Sequence, residues 1–189
     1  MLAVFSRDMR ESGELKGDGF VGTVVSNAGM DVFAKENDLA FYRANVGDRN
    51  VLEKMMELGC NIGGESSGHL IFSDDATTGD GQLTAIKFLN ALSKSGKKAS
   101  ELVKDIPRFP QVMPSFKLSG GIEQRNAILQ HPEFNSELEK YEKILEGEGR
   151  VFIRPSGTEP IIRVLVEAET EKKASEIAHH FIKLMDSIS

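Results

Sequence analysis

The chain has 189 residues, 40% hydrophobic and 28% charged, with a net charge of −6 and one cysteine. That length supports one large domain or two small ones with a real core, in the composition range of soluble globular proteins. The acidic balance excludes a broad basic field for nucleic acid, and apolar runs of a few residues exclude a helix spanning a membrane. No basic segment leads into an apolar one at the start, so no secretory leader is expected. Cys60 has no partner for an internal disulfide and reads as a small buried hydrophobe in a cytoplasmic protein.

Residues 1–9 read as a helix ending near Gly13, followed by a turn at 16–19 and a buried strand at 20–26, rich in β-branched residues. A helix over 27–37, a strand over 39–44 and a helix over 50–58 follow, the last closed by Gly59. After a glycine-rich loop come a short strand at 70–72 and a helix at 82–92, with Asp80 placed to cap it. This alternation predicts an α/β layer with parallel pairing. Asp105–Pro110, with two prolines, reads as a linker that lets the last domain pivot. Beyond it the spacing predicts a strand over 111–118, a helix over 134–146, strands on either side of 154–160 and a final helix over 172–187. That order fits a small α+β domain with an antiparallel sheet. The expected division is 1–104, a mixed α/β domain incomplete at its start, and 111–189.

Gly63-Gly-Glu-Ser-Ser-Gly-His69 sets a carboxylate, two hydroxyls and an imidazole among three glycines. Glycines let backbone turn sharply and approach a ligand, and those side chains suit sugar hydroxyls, with His69 able to donate to an anion or move a proton. The same stretch also reads as a polar turn between two short elements. Gly64–Gly68 fits the G-x-S-x-G nucleophile pattern, but a strand rather than a helix follows Gly68, which argues against Ser66 as a nucleophile. Gly17–Gly22 formally matches G-x-G-x-x-G, but it precedes a strand and opens no helix, so it is not a dinucleotide loop. Thr77-Thr-Gly-Asp-Gly81 reads as a turn with an N-cap, in preference to a brace beside a ligand. Asp74, Asp75 and Asp80 lack a cation-loop spacing, so no metal site is expected.

Arg154-Pro-Ser-Gly-Thr-Glu-Pro160 joins two strand-like runs. Arg154 offers a planar fork of donors, Ser156 and Thr158 add hydroxyls, and Gly157 would let successive N–H groups face one concavity, a set suited to phosphate. Such charge-assisted bonds contribute roughly 1.5–3 kcal/mol each. The competing reading is a hairpin with Arg154 paired to Glu159. Arg163 faces either the same site or the outer sheet surface. Arg108 and Arg125 read as surface cations. His131, His179 and His180 show no partners at ligand spacing and read as surface or packing residues.

The two loops, in this order, resemble the α-D-phosphohexomutase superfamily over essentially the whole chain. Gly64-Glu-Ser-Ser-Gly-His69 matches its third-domain sugar loop and Arg154-Pro-Ser-Gly-Thr-Glu-Pro160 its fourth-domain phosphate loop. Ser26-Asn27, Val46-Gly-Asp-Arg49 and Thr77–Gly81 resemble the branch acting on glucosamine phosphates. The resemblance implies a mixed α/β domain followed by a TATA-box-binding-protein-like domain. It implies interconversion of glucosamine 6-phosphate and glucosamine 1-phosphate through a phosphoserine and a bisphosphate, with Mg²⁺ and a homodimeric full-length enzyme. Glu65 and Ser67 would then hold sugar hydroxyls, and His69 would sit near the reacting hydroxyl or phosphate. Arg154, Ser156, Gly157 and Thr158 would clamp the phosphate that is not reacting. The partner would be a phosphorylated hexose or hexosamine. A phosphomannomutase/phosphoglucomutase, or a phosphosugar-binding module without catalysis, are the alternatives.

The superfamily's phosphoserine loop and its aspartate-rich metal loop are missing, so the chain is expected to be a catalytically incomplete carboxy-terminal half lacking the Mg²⁺ ligands. Asn45 stands where the superfamily usually has lysine, and Asn50 where it usually has tyrosine.

Overall fold

The computed structural model describes residues 1–189. They form two compact units, Met1–Pro107 and Arg108–Ser189.

In the first unit the elements are α1 (Leu2–Ser12), β1 (Gly19–Thr23), α2 (Gly29–Glu36), β2 (Ala40–Ala44), α3 (Asp48–Leu58), β3 (Ile62–Gly64), β4 (Leu70–Phe72), α4 (Gly81–Ser95) and α5 (Ala99–Leu102). The sheet order is β2-β1-β3-β4, with β1 parallel to β2 and β3, and β4 antiparallel to β3. The chain steps out from β1 to β2 and back past β1 to β3, so crossovers of one hand put α2 and α3 on opposite faces. Alternate strand residues therefore feed two cores. Phe20, Ile62, Leu70 and Phe72 pack with Phe5 and Phe33, whereas Val21, Ala44 and Ile71 pack with Val51, Met55 and Cys60. Every residue of β1 is buried, as expected of a central strand covered on both sides. Gly13 and Gly59 adopt the left-handed conformation that ends α1 and α3.

The second unit contains β5 (Gln111–Val112), β6 (Ser115–Lys117), α6 (Gly121–Gln130), α7 (Pro132–Ile144), β7 (Arg150–Pro155), β8 (Ile161–Glu167) and α8 (Glu171–Ile188). β8 pairs antiparallel with β7 along one edge and with β5 and β6 along the other. Val151, Val164, Val166 and Ile162 meet Phe134, Ile177, Phe181 and Met185 in one core. No helix is long and apolar enough to cross a membrane.

Several expectations need correction. The single strand over 111–118 is two short strands, because Pro114 has no N–H to donate. Its carbonyl still accepts from Val164 N at 3.0 Å, so the edge stays attached. Residues 62–64 form strand β3 rather than loop. Helix α6 was not anticipated: it buries only Ile128, and so has no apolar stripe to reveal it. The linker is shorter than Asp105–Pro110, because Ile106 packs on the first core and Pro110 O accepts from Ala168 N at 3.2 Å. His180 is a packing residue, one of the two roles expected of it, with Nε2 2.8 Å from Glu137 Oε2 and its ring 5.2 Å from that of Tyr141.

Candidate functional site

Because β1, β2 and β3 are parallel, the loops that follow them open at the same end of the first sheet, where α/β folds commonly hold ligands. After β1, Ser26 folds back so that its Oγ accepts from Thr23 N at 3.0 Å, and Asn27 Oδ1 accepts from Gly29 N at 3.0 Å. After β2, Asn50 Nδ2 donates to Val46 O at 2.8 Å and closes the loop that carries Gly47, whose φ is 122°.

The β3–β4 hairpin carries the first candidate loop. Glu65 N donates to His69 O at 2.9 Å and Gly68 N donates to Glu65 O at 3.1 Å, with Gly68 at φ 102°. This geometry turns Glu65, Ser67 and His69 toward one another. Ser67 Oγ donates to Glu65 Oε2 at 3.0 Å and lies 3.3 Å from His69 Nδ1. With the hydroxyl proton committed to Glu65, that approach fits Nδ1–H donating to Ser67 Oγ, which leaves Nε2 as an acceptor. Glu65 Oε1 is buried with no hydrogen-bond partner. A carboxylate oxygen left so is strongly disposed to take a hydroxyl or ammonium donor.

The role expected of the first two glycines is corrected. A Cβ on Gly63 would lie 2.5 Å from Met55 Sδ, and one on Gly64 would lie 2.5 Å from Leu70 Cδ2 and 2.9 Å from His69 O. Both are required for α3 and β4 to pack closely, and only Gly68 provides the turn. The stretch Thr77–Gly81 is both cap and neighbour: Asp80 Oδ1 accepts from Gln82 N at 2.8 Å and Leu83 N at 3.0 Å, while Gly79 lies against His69.

The second candidate loop joins β7 to β8 in the second unit. Ser156 N donates to Ile161 O at 2.9 Å, and Ser156 Oγ receives long bonds from Thr158 N at 3.4 Å and Glu159 N at 3.3 Å. The two amides thus converge on the exposed Ser156 hydroxyl, a serine turn that orders the loop. Gly157 is not in the left-handed region, contrary to the conformation its expected role implied, and a Cβ there would meet nothing within 4 Å. The fold itself therefore does not demand glycine at 157. The expected alternative pairing of Arg154 with Glu159 is overturned, because Glu159 Oε2 accepts from Arg163 at 2.9 Å. The β7–β8 register sets Arg154 directly opposite Arg163, so both project from the same sheet face. Neighbouring pairs bring Val151, Ile153 and Pro155 to the opposite face, which α8 covers. Arg163 thus lies on the outer sheet face, beside Arg154 and paired with Glu159. Sequence alone left that open because the reach of the hairpin loop sets the register.

The aspartates near the first loop do not fit a divalent cation. Asp74 Oδ1 accepts from Lys16 Nζ at 2.6 Å and Asp74 Oδ2 from Asn61 Nδ2 at 2.7 Å; Asp75 pairs with Lys87 at 2.8 Å, and Asp80 caps α4. Lys16 first, then Asn61, hold the Asp74 carboxyl below its ordinary range.

Residues 1–109 match the family model described as phosphoglucomutase/phosphomannomutase alpha/beta/alpha domain III, and residues 115–184 match its C-terminal domain. A phosphoglucosamine mutase of Caldanaerobacter subterraneus subsp. tengcongensis is 44% identical over 186 residues, covering 98% of this chain and 41% of that protein. The chain therefore spans well under half the length of such relatives. A crystal structure of a phosphoglucomutase/phosphomannomutase family protein from Burkholderia thailandensis has a TM-score of 0.76 at 19% identity, over 99% of this chain and 41% of that one. An Aspergillus fumigatus N-acetylphosphoglucosamine mutase, solved in complex with GlcNAc-6P and magnesium, has a TM-score of 0.71 at 19% identity, over 97% of this chain and 45% of that one. With both domain models matched in order across nearly its whole length, the chain belongs to the phosphoglucomutase/phosphomannomutase family.

Proposed function

We propose that this chain supplies the sugar-reading and phosphate-clamping part of a phosphoglucosamine mutase. The enzyme would interconvert glucosamine 6-phosphate and glucosamine 1-phosphate through a phosphoserine and a bisphosphate intermediate. Glu65 and Ser67 hold ring hydroxyls or the amino group, and His69 presents Nε2 to the hydroxyl or phosphate beside them. Arg154, Arg163, Ser156, Thr158 and the backbone at Gly157 clamp the phosphate that is not reacting. Remote binding of that kind accelerates transfer by orienting the reacting end. Neither the phosphoserine nor the Mg²⁺ that would act as Lewis acid is assigned to this chain, whose aspartates near the first loop are otherwise engaged.

The observation that carries this reading is Arg154. Its guanidinium makes no hydrogen bond or ion pair within the chain, although a partly buried cation ordinarily finds one, and it stands level with Arg163 beside the Ser156 turn. The relatives support the sugar: proteins 44% and 42% identical to this chain are named phosphoglucosamine mutase.

Calorimetry on the chain tests it. Arg154→Ala should weaken glucosamine 6-phosphate binding by the equivalent of about 1.5–3 kcal/mol while leaving glucosamine binding unchanged. Equal loss for both sugars makes Arg154 a structural residue and sinks the clamp. Tighter binding of mannose 6-phosphate or glucose 6-phosphate than of glucosamine 6-phosphate would move the assignment to the phosphomannomutase/phosphoglucomutase reading. The chain alone should show no mutase turnover with Mg²⁺, and robust turnover would overturn the division of labour.

A further inference from the structure

Gly79, in the Thr77–Gly81 stretch, is outside the residues assigned to substrate, yet it touches one of them. A Cβ built on it would fall 3.2 Å from His69 Cβ and 3.3 Å from His69 Cδ2. Those separations are tighter than side chains ordinarily keep, so the bare Cα is packed flat against the imidazole. The segment bearing Gly79 is held at both ends. Near β4, Asp75 N and Ala76 N both donate to Phe72 O at 2.9 Å, and Asp75 pairs with Lys87 of α4. At the other end the Asp80 side chain caps α4, and Thr84 Oγ1 donates to Asp80 O at 2.6 Å. His69 is fixed at its backbone by the hairpin bond to Glu65 N. Its ring otherwise has only the long 3.3 Å contact with Ser67 Oγ to orient it, and it is exposed. An exposed imidazole held by one weak contact needs a second surface to stay in one rotamer.

We propose that Gly79 is a positioning residue: the pinned loop from Ser73 to Asp80 is a wall that sets the His69 ring, and so aims Nε2 at the sugar phosphate. The wall favours glycine because a Cβ there would press on the ring at 3.2–3.3 Å and displace it by a few tenths of an ångström. The backbone conformation does not require it, since Gly79 is outside the left-handed region. This inference rests on the proposed role of His69 in the sugar site.

The test separates the two readings. In ¹⁵N-labelled full chain, the His69 ring resonances are recorded for wild type, Gly79→Ala and Gly81→Ala, each also with Ser67→Ala. Gly81 is the control, because a Cβ there meets nothing within 4 Å. Gly79→Ala should move the His69 ring signals and abolish the change that Ser67→Ala makes in them, whereas Gly81→Ala should leave both as in wild type. Glucosamine 6-phosphate affinity should fall about tenfold in Gly79→Ala, as expected for a misplacement of a few tenths of an ångström. In a His69→Ala background, Gly79→Ala should add no further loss of affinity and no fall in melting temperature. An unchanged His69 spectrum in Gly79→Ala, or an undiminished penalty without the imidazole, overturns the positioning role. Failure of wild type to bind glucosamine 6-phosphate would instead sink the mutase reading, and the ring spectrum would still decide Gly79.

Discussion

The two candidate loops are both short turns between antiparallel strands, but they hold their polar groups in opposite ways. At 65–69 the side chains are linked in a chain from His69 through Ser67 to Glu65 Oε2, with only Glu65 Oε1 left over. At 154–160 the backbone is tied down by Ser156 N and Leu118 N, while the Arg154 guanidinium is left without a partner. A linked carboxylate, hydroxyl and imidazole can exchange hydrogen bonds with neutral hydroxyls at little change in charge. A partnerless guanidinium is suited to a dianion. The glycines divide in the same way: Gly63 and Gly64 make room for the protein's own side chains, and Gly157 makes room for nothing in the protein.

That contrast can be broken most forcefully at Gly64. Gly64→Ala should destabilise the first unit by about 1–3 kcal/mol, because Leu70 and the hairpin backbone must shift. A melting temperature equal to that of wild type would show that the close approach of β4 is not a packing requirement. Ser67→Ala should reduce glucosamine 6-phosphate affinity by the equivalent of about 1 kcal/mol, the usual net worth of a hydrogen bond between neutral groups or one charged partner at a wet site. It should have the same effect on unphosphorylated glucosamine, unlike Arg154→Ala, and calorimetry with both sugars distinguishes the two loops. Gly157→Ala should alter stability by no more than about 0.5 kcal/mol and still weaken binding of the phosphorylated sugar, since only the ligand contends for that space. A fall in melting temperature without loss of affinity would reverse the assignment.

The smallest effect concerns Asp74, away from both loops. Its carboxyl is depressed by Lys16 and Asn61, so it adds stability above the ordinary carboxyl range near pH ~3.9 and loses it as the pH falls through its lower folded value. The pair is half exposed and screened, so the contribution is below about 1 kcal/mol. Asp74→Asn should lower the melting temperature slightly at about pH 7 and leave it unchanged at about pH 2, where wild type has lost the same interaction. An equal decrease at both pH values would assign the effect to packing.

Much of this was readable in the chain. The strong apolar periodicities of α1, α3, α8, β1 and β8, the Gly59 stop and the Asp80 cap are local signals, because a cap or an amphipathic face is written within a few residues. The two loops announced themselves by composition for the same reason. What local patterns did not contain is decided by neighbours far along the chain. β3 is a strand because Gly63 and Gly64 admit Met55 and Leu70, and α6 is a helix that buries only Ile128. Arg163 joins Arg154 because the hairpin register pairs them, and Gly79 reaches His69 because the loop after β4 doubles back along the strand. Sequence thus determined which chemical groups are present and which segments carry them. Tertiary structure determined which groups share a face, because register and close packing are properties of two segments at once.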